Sequence, residues 1–521
     1  MTTKLDVRHG DVPREMSRAS LNALSGHGDP GKFGRMFPML DPLVVGDDAL
    51  FELAQAMVDA TPGDPSGNNP GIPAGFTYLG QFVDHDITLD LTPLEQAEAD
   101  PLATQNFRTP GLDLDALYGP GPSLAPYLYQ RNPATGKINA KLLVGTTAES
   151  EGRSPPDGTK IPRIENDLPR TRFGRASIGD ERNDENLLVA QTHLAFLKFH
   201  NKVVEHLQTT KPGLEGGALF DEARRITTWH YQWIVLFDFV ERLTEKGLIA
   251  KIKRDGRRFY RFKTRPYIPA EFSAAAYRLG HSMIREAYSH NRLFGFGPGT
   301  FAPANLGLLF AFTGKSGSIV GDMLGHPVLG PQLGPMLPIG PMKELPSNWA
   351  IDWRRWYEFN IAGVPLNLSR KLDPKLVPTL SLLPGETDRS AVLAFRNLRR
   401  GVILGLPSGQ DVAKTMSIAP LSEQDLSKGA DGAIAKAHGM HKKTPLWYYI
   451  LKEAEVVHNG TRLGPVGSTI VAEVFLGLVH GDQKSFMWKT ANWKPELPGA
   501  VAGEFTMVDL LNFVGDLNPV G

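Results

Sequence analysis

The chain of 521 residues contains no cysteine, which excludes disulfides, thiolate metal ligands and cysteine nucleophiles. It has no run of about 18 apolar residues, so we expect no membrane span. Its 56 Lys and Arg side chains balance its 56 Asp and Glu side chains, and a neutral chain gives no reason to expect nucleic acid as a partner. The first residues lack the apolar segment of a secretory signal peptide. The compartment therefore stays open between the cytoplasm and secretion without a conventional signal.

Common catalytic motifs are also absent. The sequence has no H-E-x-x-H zinc motif and no G-x-S-x-G nucleophile motif. Residues 314–316 read Gly-Lys-Ser, but a phosphate-binding loop would need glycine where Leu309 stands. The usual zinc-hydrolase, serine-hydrolase and nucleotide-binding signatures are therefore excluded.

Hydrophobic periodicity predicts a mainly α fold with long loops and little β-structure. The predicted organisation is an N-terminal arm at residues 1–30 and one large domain at residues 31–521. A basic segment with alternating aromatic residues, 251–263, is predicted to be a hairpin. The predicted helices cover residues 49–59, 186–207, 218–245, 274–288, 390–404, 445–457, 468–480 and 506–514.

Residues 78–90 concentrate polar groups within an apolar segment. On a helix that turns about 100° per residue, Asp84, Gln81 and His85 fall at about −60°, 0° and +40°, whereas Asp86 falls near 140°. Three polar groups can therefore face one pocket while Asp86 faces a different partner. Polar groups among apolar ones cost free energy unless they are satisfied, which favours a ligand or a metal. A capped helix start with an exposed acidic edge is the alternative interpretation.

Three other segments carry candidate functional groups, each with an ordinary structural alternative. Arg182 and Glu185 follow a helix-capping aspartate, and they could simply form a surface ion pair. His281 follows a glycine that weakens a helix, which favours a bulky group beside that turn, although a core histidine is the commoner case. Asn397 and Arg400 offer an amide and a fixed positive charge, or else a solvated basic helix end.

The loop at residues 109–119 alternates oxygen donors with leucine. Asp113 and Asp115 stand near Thr109 and the carbonyl of Gly111. Calcium takes six to eight hard oxygen ligands, which this pattern can supply. The spacing is not that of an EF-hand, so the loop alone is a weak indication.

Together these motifs resemble the animal-type haem peroxidases, the peroxidase–cyclooxygenase superfamily, over almost the whole chain. The motifs are G-Q-x-x-D-H-D at residues 80–86, G-D-x-R-x-x-E at 179–185, R-x-G-H at 278–281 and N-x-x-R at 397–400. Residues 444–482 are especially similar to bacterial members. The resemblance implies that the large domain is a haem peroxidase domain, with a role in the response to oxidative stress.

The resemblance implies an enzyme that uses H2O2 to form a ferryl intermediate, which then oxidises halides, thiocyanate or phenolic and aromatic donors. His85 is similar to the distal histidine, which moves a proton from one peroxide oxygen to the other. Arg182 is similar to the distal arginine, which stabilises charge as the O–O bond breaks. Gln81 is similar to the glutamine that holds distal water near the halide position.

The resemblance places the proximal side of the haem on residues that follow His85 by nearly 200 positions or more. His281 is similar to the proximal ligand of the haem iron. Asn397 is similar to the asparagine that accepts the ring N–H of that ligand. Arg278 and Arg400 would pair with the haem propionates.

The resemblance also concerns how a haem b is attached. Asp84 and Glu185 match the carboxylates that form ester links to haem in mammalian members. The family's third link uses a methionine directly after the glutamate, where this sequence has Asn186. No sulfonium bond is therefore expected.

A calcium site is implied as well. Its ligands would come from the residue after the distal histidine and from the 109–119 loop. The family usually has serine where Asp115 stands. A cation bound there would hold the distal histidine in place. The residues are Asp86, Thr109, Gly111, Asp113 and Asp115.

Two other functions stay open at this point. A fatty-acid dioxygenase of the cyclooxygenase branch would need a tyrosyl radical, normally from a tyrosine three residues before the proximal histidine. That position is Arg278 here, and Tyr277 is one residue away. The other alternative is a haem-binding or calcium-binding surface protein whose active site has decayed.

Overall fold

Helices form most of the regular structure in the computed structural model, which describes residues 33–89, 106–317, 319, 343–383, 388–490 and 492–521. The prediction of a mainly α fold is confirmed. The predicted N-terminal arm, residues 1–30, lies outside the described residues. The α-helices are α1 (Asp47–Ala56), α2 (Gly75–Ile87), α3 (Asp115–Tyr118), α4 (Leu187–Thr210), α5 (Gly216–Ile234), α6 (Glu241–Leu243), α7 (Leu248–Asp255), α8 (Ala270–Ser273), α9 (Leu306–Ala311), α10 (Leu393–Ile403), α11 (Gly409–Thr415), α12 (Gly429–Ala437), α13 (Leu446–His458), α14 (Pro465–Gly481), α15 (Phe486–Lys489) and α16 (Met507–Val514).

The strands are short, and those within the described ranges pair only two at a time. One pair, β1 with β7, is parallel, and the pairs β2–β10, β3–β4, β5–β6 and β8–β9 are antiparallel. Such small ribbons cannot form a core, so the helices do. The strands are β1 (Phe33–Gly34), β2 (Asn68–Pro73), β3 (Tyr129–Arg131), β4 (Ile138–Leu142), β5 (Ser150–Glu151), β6 (Lys160–Ile161), β7 (Ile268–Pro269), β8 (Ala287–Tyr288), β9 (Ala304–Asn305) and β10 (Leu368–Arg370).

The core is built from helices that are apolar on nearly every side. Helix α4 packs against α2 and α5, and α14 packs against α7 and α13. Helix α5 continues through a π-helical stretch, Val235–Val240, into α6, so most of the helix predicted at residues 218–245 is one continuous helical segment. A helix that is apolar all round must be covered on all sides, as α14 is. None of the described helices combines the length and the hydropathy needed to cross a membrane.

The start of α2 is fixed by a close backbone approach. The N–H of Gly75 donates to the carbonyl oxygen of Trp356 at 3.0 Å. A Cβ at Gly75 would lie 2.6 Å from that oxygen and 2.5 Å from Cζ of Tyr357, so a larger residue cannot take this place. The glycine therefore sets the position of the helix that carries four of the predicted site residues.

The predicted helix at residues 274–288 is wrong in its extent. Helix α8 ends at Ser273, a 3-10 helix covers Ala276–His281, and the chain then extends into β8. The backbone leaves the helical conformation because β8 pairs with β9. The hydroxyl of Tyr288 also accepts the backbone N–H of Arg285 at 2.9 Å.

The predicted hairpin at residues 251–263 is also wrong. Its first part is the end of α7, and the following backbone is held by a carboxylate instead of a second strand. Glu473 of α14 accepts the backbone N–H groups of Arg258, Phe259 and Tyr260, each at 2.7 Å. Alternating aromatic residues resemble a strand in the sequence, but the donors that a strand partner would pair are already satisfied.

Candidate active site

Helix α2 contacts two segments that are far from it in the sequence. These are the 3-10 turn Glu181–Asp184 and the 3-10 helix Ala276–His281. The hydroxyl of Tyr277 donates to the carbonyl oxygen of Gly80 at 3.0 Å and fastens the second segment to α2. Three of the four predicted motifs therefore meet around one helix.

His85 is buried, and both of its ring nitrogens have polar neighbours. Nδ1 lies 2.8 Å from Oδ1 of Asn183, and Nε2 lies 3.6 Å from Oε1 of Glu185. Burial, with the nearby charge of Arg182, lowers the pKa of His85 to about 3. The ring is therefore neutral at neutral pH, and a ring that donates through Nδ1 keeps a basic lone pair on Nε2.

Asn183 links His85 to a second buried histidine. Its Nδ2 donates to Nδ1 of His193 at 3.0 Å. Nε2 of His193 is buried and has no hydrogen-bond partner among the described residues. The sequence did not single out Asn183 or His193. The one available signal was a polar side chain at position 193 within an apolar helix.

The guanidinium of Arg182 is held by several acceptors. Its Nη2 donates to the carbonyl oxygens of His85 at 2.9 Å and Thr88 at 2.8 Å, and to Asp180 at 2.7 Å. Burial would raise the pKa of Asp180, but the hydrogen bonds and charge of Arg182 and the charge of Arg108 bring it well below its usual value. The Nη1 group of Arg182 makes no hydrogen bond to the described residues and is the donor available to a ligand.

A chain of amides joins Gln81 and Glu185. Nε2 of Gln81 donates to Oε1 of Glu185, and Oε1 of Gln81 accepts from Nδ2 of Asn186 at 2.8 Å. Burial raises the pKa of Glu185 to about 7, against the lowering effect of Arg182. At neutral pH this carboxyl group can therefore exchange a proton.

Asp84 lies within the electrostatic influence of both groups of residues that meet α2. The hydroxyl of Thr88 donates to its Oδ1 at 3.0 Å. Burial raises the pKa of Asp84, whereas the charges of Arg278 and Arg182 lower it. The pKa of Asp84 thus depends on the charges of both Arg182 and Arg278.

His281 and Asn397 form a close pair. Nδ2 of Asn397 lies 2.8 Å from Nδ1 of His281, while Oδ1 of Asn397 accepts from Nη1 of Arg278 at 3.3 Å. The amide nitrogen, and not the amide oxygen, therefore faces the ring; a half-turn of the amide exchanges the two atoms. Burial and then the charges of Arg278 and Arg396 lower the pKa of His281 to about 3.

Two arginines lie on the same elements as this pair. Arg278 is in the same 3-10 helix as His281 and also donates to the carbonyl oxygen of Ser273 at 3.1 Å. Arg400 lies on α10, three residues after Asn397, and is half-buried. An anionic group beside His281 would meet at least one of these guanidinium groups.

Asp86 points away from the other three polar residues of α2, as the helical angles predict. Its Oδ2 accepts from the backbone N–H of Leu114 and from the hydroxyl of Tyr231, both at 3.2 Å. Its Oδ1 is buried and has no hydrogen-bond partner among the described residues. Burial and the charge of Asp115 raise the pKa of Asp86.

The 109–119 loop brings its own oxygen atoms to this place. Oδ1 of Asp113 accepts from the backbone N–H of Asp115 at 3.2 Å, and Oδ2 of Asp115 accepts from the hydroxyl of Thr109 at 3.3 Å. Burial raises the pKa of Asp113, and the charges of Asp115 and Asp86 raise it further. Across the described ranges, however, no three His, Asp or Glu side chains are grouped closely enough to hold a metal by themselves. A cation would need further oxygens from Thr109 and Gly111.

Comparison with known proteins gives the site a family context. Residues 90–295 match the model of the family described as animal haem peroxidase. This range includes Arg182, Glu185 and His281, while His85 and Asn397 lie outside it. The contacts described above connect these last two residues to the matched part.

The similar proteins include peroxidases and a dioxygenase. A peroxidase-like protein of Margaritifera margaritifera is 26% identical over 273 residues, which are 44% of this chain and 33% of that protein, so the chain spans about a third of that relative. Peroxidase A from Dictyostelium discoideum has a TM-score of 0.60 at 14% identity and 95% coverage of both chains. The fatty acid alpha-dioxygenase of Oryza sativa has a TM-score of 0.58 at 16% identity, covering 94% of this chain and 80% of its own. Residues 90–295 are thus similar in sequence to the animal haem peroxidase family, and the chain shares its fold with these solved structures.

Proposed function

We propose that the protein is a haem peroxidase, which uses H2O2 to oxidise small donors. The observation that carries this proposal is the meeting of two histidines of opposite kind around α2. Nδ1 of His85 faces an amide oxygen, which leaves a lone pair on Nε2, whereas Nδ1 of His281 faces an amide nitrogen and the ring lies near the charge of Arg278. The family match of residues 90–295 supports the same function.

The residues present fit a haem. Nε2 of His281 makes no hydrogen bond to the described residues, and it would be the iron ligand once the amide of Asn397 is turned so that its Oδ1 accepts the Nδ1 proton. A Cβ built at Gly280 would meet no atom within 4 Å, so there is open space directly beside His281. Arg278 and Arg400 would hold the propionates. The bound haem iron would supply the redox chemistry that splits the O–O bond.

The chain's own contribution is proton transfer and charge stabilisation. His85 accepts a proton from H2O2 at Nε2 and returns it to the other oxygen, which leaves as water. Nη1 of Arg182 donates toward the oxygen on which negative charge develops. Gln81 holds water on this side of the site, and its bond to Glu185 fixes its orientation.

Halides, thiocyanate and phenolic or aromatic compounds are the proposed donors. Asp84 and Glu185 are the carboxylates through which ester links to haem b would form. Extraction of haem under denaturing conditions separates a linked haem from a free one. The similarity of residues 444–482 to bacterial members supports a bacterial source.

We also propose a calcium ion bound by the Asp86 cluster, which comprises Asp86, Thr109, Gly111, Asp113 and Asp115. The buried Oδ1 of Asp86 lacks a hydrogen-bond partner, and the neighbouring carboxylates repel one another. A hard cation would satisfy that oxygen and neutralise the charges.

Two variants of the histidines test the peroxidase proposal. His281→Ala should lose haem binding, seen as the absence of a Soret band. His85→Ala should bind haem but lose about 100-fold or more of its H2O2-dependent guaiacol oxidation, because it removes the general base. Full activity of His85→Ala would contradict the assignment of that residue. O2 uptake by the haem-loaded wild type with linoleate tests the dioxygenase alternative. Uptake that does not need peroxide would overturn the peroxidase proposal.

A further inference from the structure

The amide of Asn183 lies between two buried histidines, and we propose that the pair Asn183–His193 determines which ring nitrogen of His85 carries the proton. Nδ1 of His85 lies 2.8 Å from Oδ1 of Asn183, and Nδ1 of His193 lies 3.0 Å from Nδ2 of the same amide. The proposal rests on the proposed function, because it treats His85 as the base that acts on peroxide.

A carboxamide offers an acceptor at one end and a donor at the other. The histidine that faces Oδ1 must therefore carry its proton on Nδ1, and the histidine that faces Nδ2 must have a lone pair on Nδ1. His85 and His193 consequently take opposite tautomers, whichever way the amide is turned. The orientation in the structure gives His85 the Nδ1–H tautomer.

This tautomer is the one that the chemistry needs. With the proton on Nδ1, Nε2 of His85 has a lone pair that can accept a proton from H2O2. A half-turn of the Asn183 amide would place the proton of His85 on Nε2. His85 would then no longer be a base at Nε2, although its ring would not have moved. Asn183 and His193 thus act through His85 as positioning residues.

His193 is costly as a merely structural residue. When its Nδ1 accepts from Asn183, its Nε2 carries a proton that is buried and has no partner among the described residues. An unsatisfied buried N–H destabilises a fold. The ring packs edge-on against Phe82 at a centroid distance of 5.8 Å, a contact that phenylalanine could also make. A structural role alone would favour phenylalanine over histidine at position 193.

The test is a measurement of histidine tautomers in the intact chain without haem, by NMR of 15N-labelled histidine. The signals of His85 are identified by their loss in His85→Gln. We expect Nδ1–H in the wild type and a mixture of tautomers in His193→Phe and in Asn183→Leu. The unfolding temperature of His193→Phe should not fall. An Nε2–H tautomer in the wild type would overturn the proposal, as would an unchanged His85 in both variants.

Two conservative variants provide matched controls. His193→Gln offers an oxygen to Nδ2 of Asn183 and should restore the single tautomer of His85. Asn183→Asp has an acceptor at both ends, so His85 should keep Nδ1–H while His193 moves its proton from Nε2 to Nδ1. Failure of His193→Gln to restore the tautomer would count against the proposed orientation of the amide.

Peroxide consumption by the haem-loaded chain connects the tautomer to catalysis. His193→Phe should lower the rate constant for reaction with H2O2 by about 10–100-fold at unchanged haem content, and His193→Gln should recover it. A wild-type rate in His193→Phe would overturn the catalytic part. If the tautomers respond as expected but no variant, wild type included, consumes peroxide, the proposed function fails while the control of His85 by Asn183 stands.

Discussion

Gly280 stands beside the proposed iron ligand, and its open surroundings lead to a prediction. A side chain at position 280 would enter space that the protein leaves empty, so Gly280→Leu should not lower the unfolding temperature of the haem-free chain. The same side chain would compete with haem for that space. We expect haem affinity to fall about 10-fold or more, which is about 1.4 kcal/mol. Haem titration followed at the Soret band measures it.

Gly217 offers a matched control for this variant. It lies in α5, far along the chain from the site, and a Cβ there would also meet no atom within 4 Å. Gly217→Leu should leave haem affinity unchanged. Equal haem affinity in Gly280→Leu and wild type would show that the open space is not where the haem lies.

The polar residues of α2 could be sorted from the sequence because their directions follow from helical geometry alone. The angle of about 140° separates Asp86 from Gln81 and His85, and in the structure Asp86 indeed contacts a different set of residues. Asn183 and His193 could not be found in this way. Their role depends on one amide that reaches two other segments, and no spacing within one segment encodes such a contact.

At the scale of elements, the junction of α13 and α14 carries a buried acid. Glu453 of α13 accepts the backbone N–H groups of Val466 at 3.0 Å and Gly467 at 3.3 Å, at the start of α14. Burial raises the pKa of Glu453 to about 8, although these two hydrogen bonds lower it. The native state therefore favours the protonated form more strongly than the unfolded chain does.

The pH dependence of stability follows from this shift. The native state holds the Glu453 proton up to about pH 8, whereas the unfolded chain releases it near the ordinary glutamate pKa of 4.5. The stability that this group contributes is therefore complete below about pH 4.5 and is lost as the pH rises through 8. Glu453→Gln keeps an acceptor and cannot ionise. We expect the free energy of unfolding of this variant to fall less steeply between pH 5 and 8, by up to about 1.4 kcal/mol per pH unit.

Urea unfolding at a series of pH values measures the two slopes. Parallel curves for wild type and Glu453→Gln would mean that the carboxyl group is ionised in the native state. The helix start would then stabilise the charge more than burial destabilises it.

Elements were predictable where the hydrophobic pattern was long. The helix now bounded at Leu187–Thr210 and the pair of helices that carries Glu453 follow a sustained helical period. The two wrong predictions, residues 251–263 and 274–288, are short segments whose backbone donors are bound by distant partners. Glu473 holds the first, and strand β9 holds the second. Tertiary contacts of this kind override local propensity.

At the scale of the whole molecule, the Asp86 cluster connects separate parts of the fold. Asp86 belongs to α2, Tyr231 to α5, and the remaining oxygens to the 109–119 loop. Calcium bound there should raise the unfolding temperature of the EDTA-treated chain. At a free calcium concentration 100 times the dissociation constant, the free energy of unfolding should rise by about 2.7 kcal/mol. Magnesium, which requires a smaller octahedral site, should have less effect. Calorimetry with each ion measures the difference.

Asp86→Asn separates this effect from nonspecific binding. The variant removes one of the repelling charges, so without calcium it should unfold at the same or a higher temperature than the wild type. It should also lose the response to calcium. An equal response in both proteins would place the cation elsewhere.

The mainly α class could be predicted for the whole chain, but the meeting of its motifs could not. Residues 80–86, 179–185, 278–281 and 397–400 are each separated by about a hundred residues in the sequence. Only their order and their resemblance to a family suggested a common site. The contacts of α2 and of Asn397 give that suggestion a physical basis.

The hydrogen bond from Tyr277 to the carbonyl oxygen of Gly80 has a consequence for how the protein acquires its cofactor. This bond joins α2 directly to the 3-10 helix Ala276–His281, so the polypeptide fixes how these two segments lie before any haem arrives. Haem should then bind to the folded chain in a bimolecular step whose rate is proportional to haem concentration. Binding should not be limited by a late stage of chain folding. The folded chain without haem should therefore bind haem that is added later.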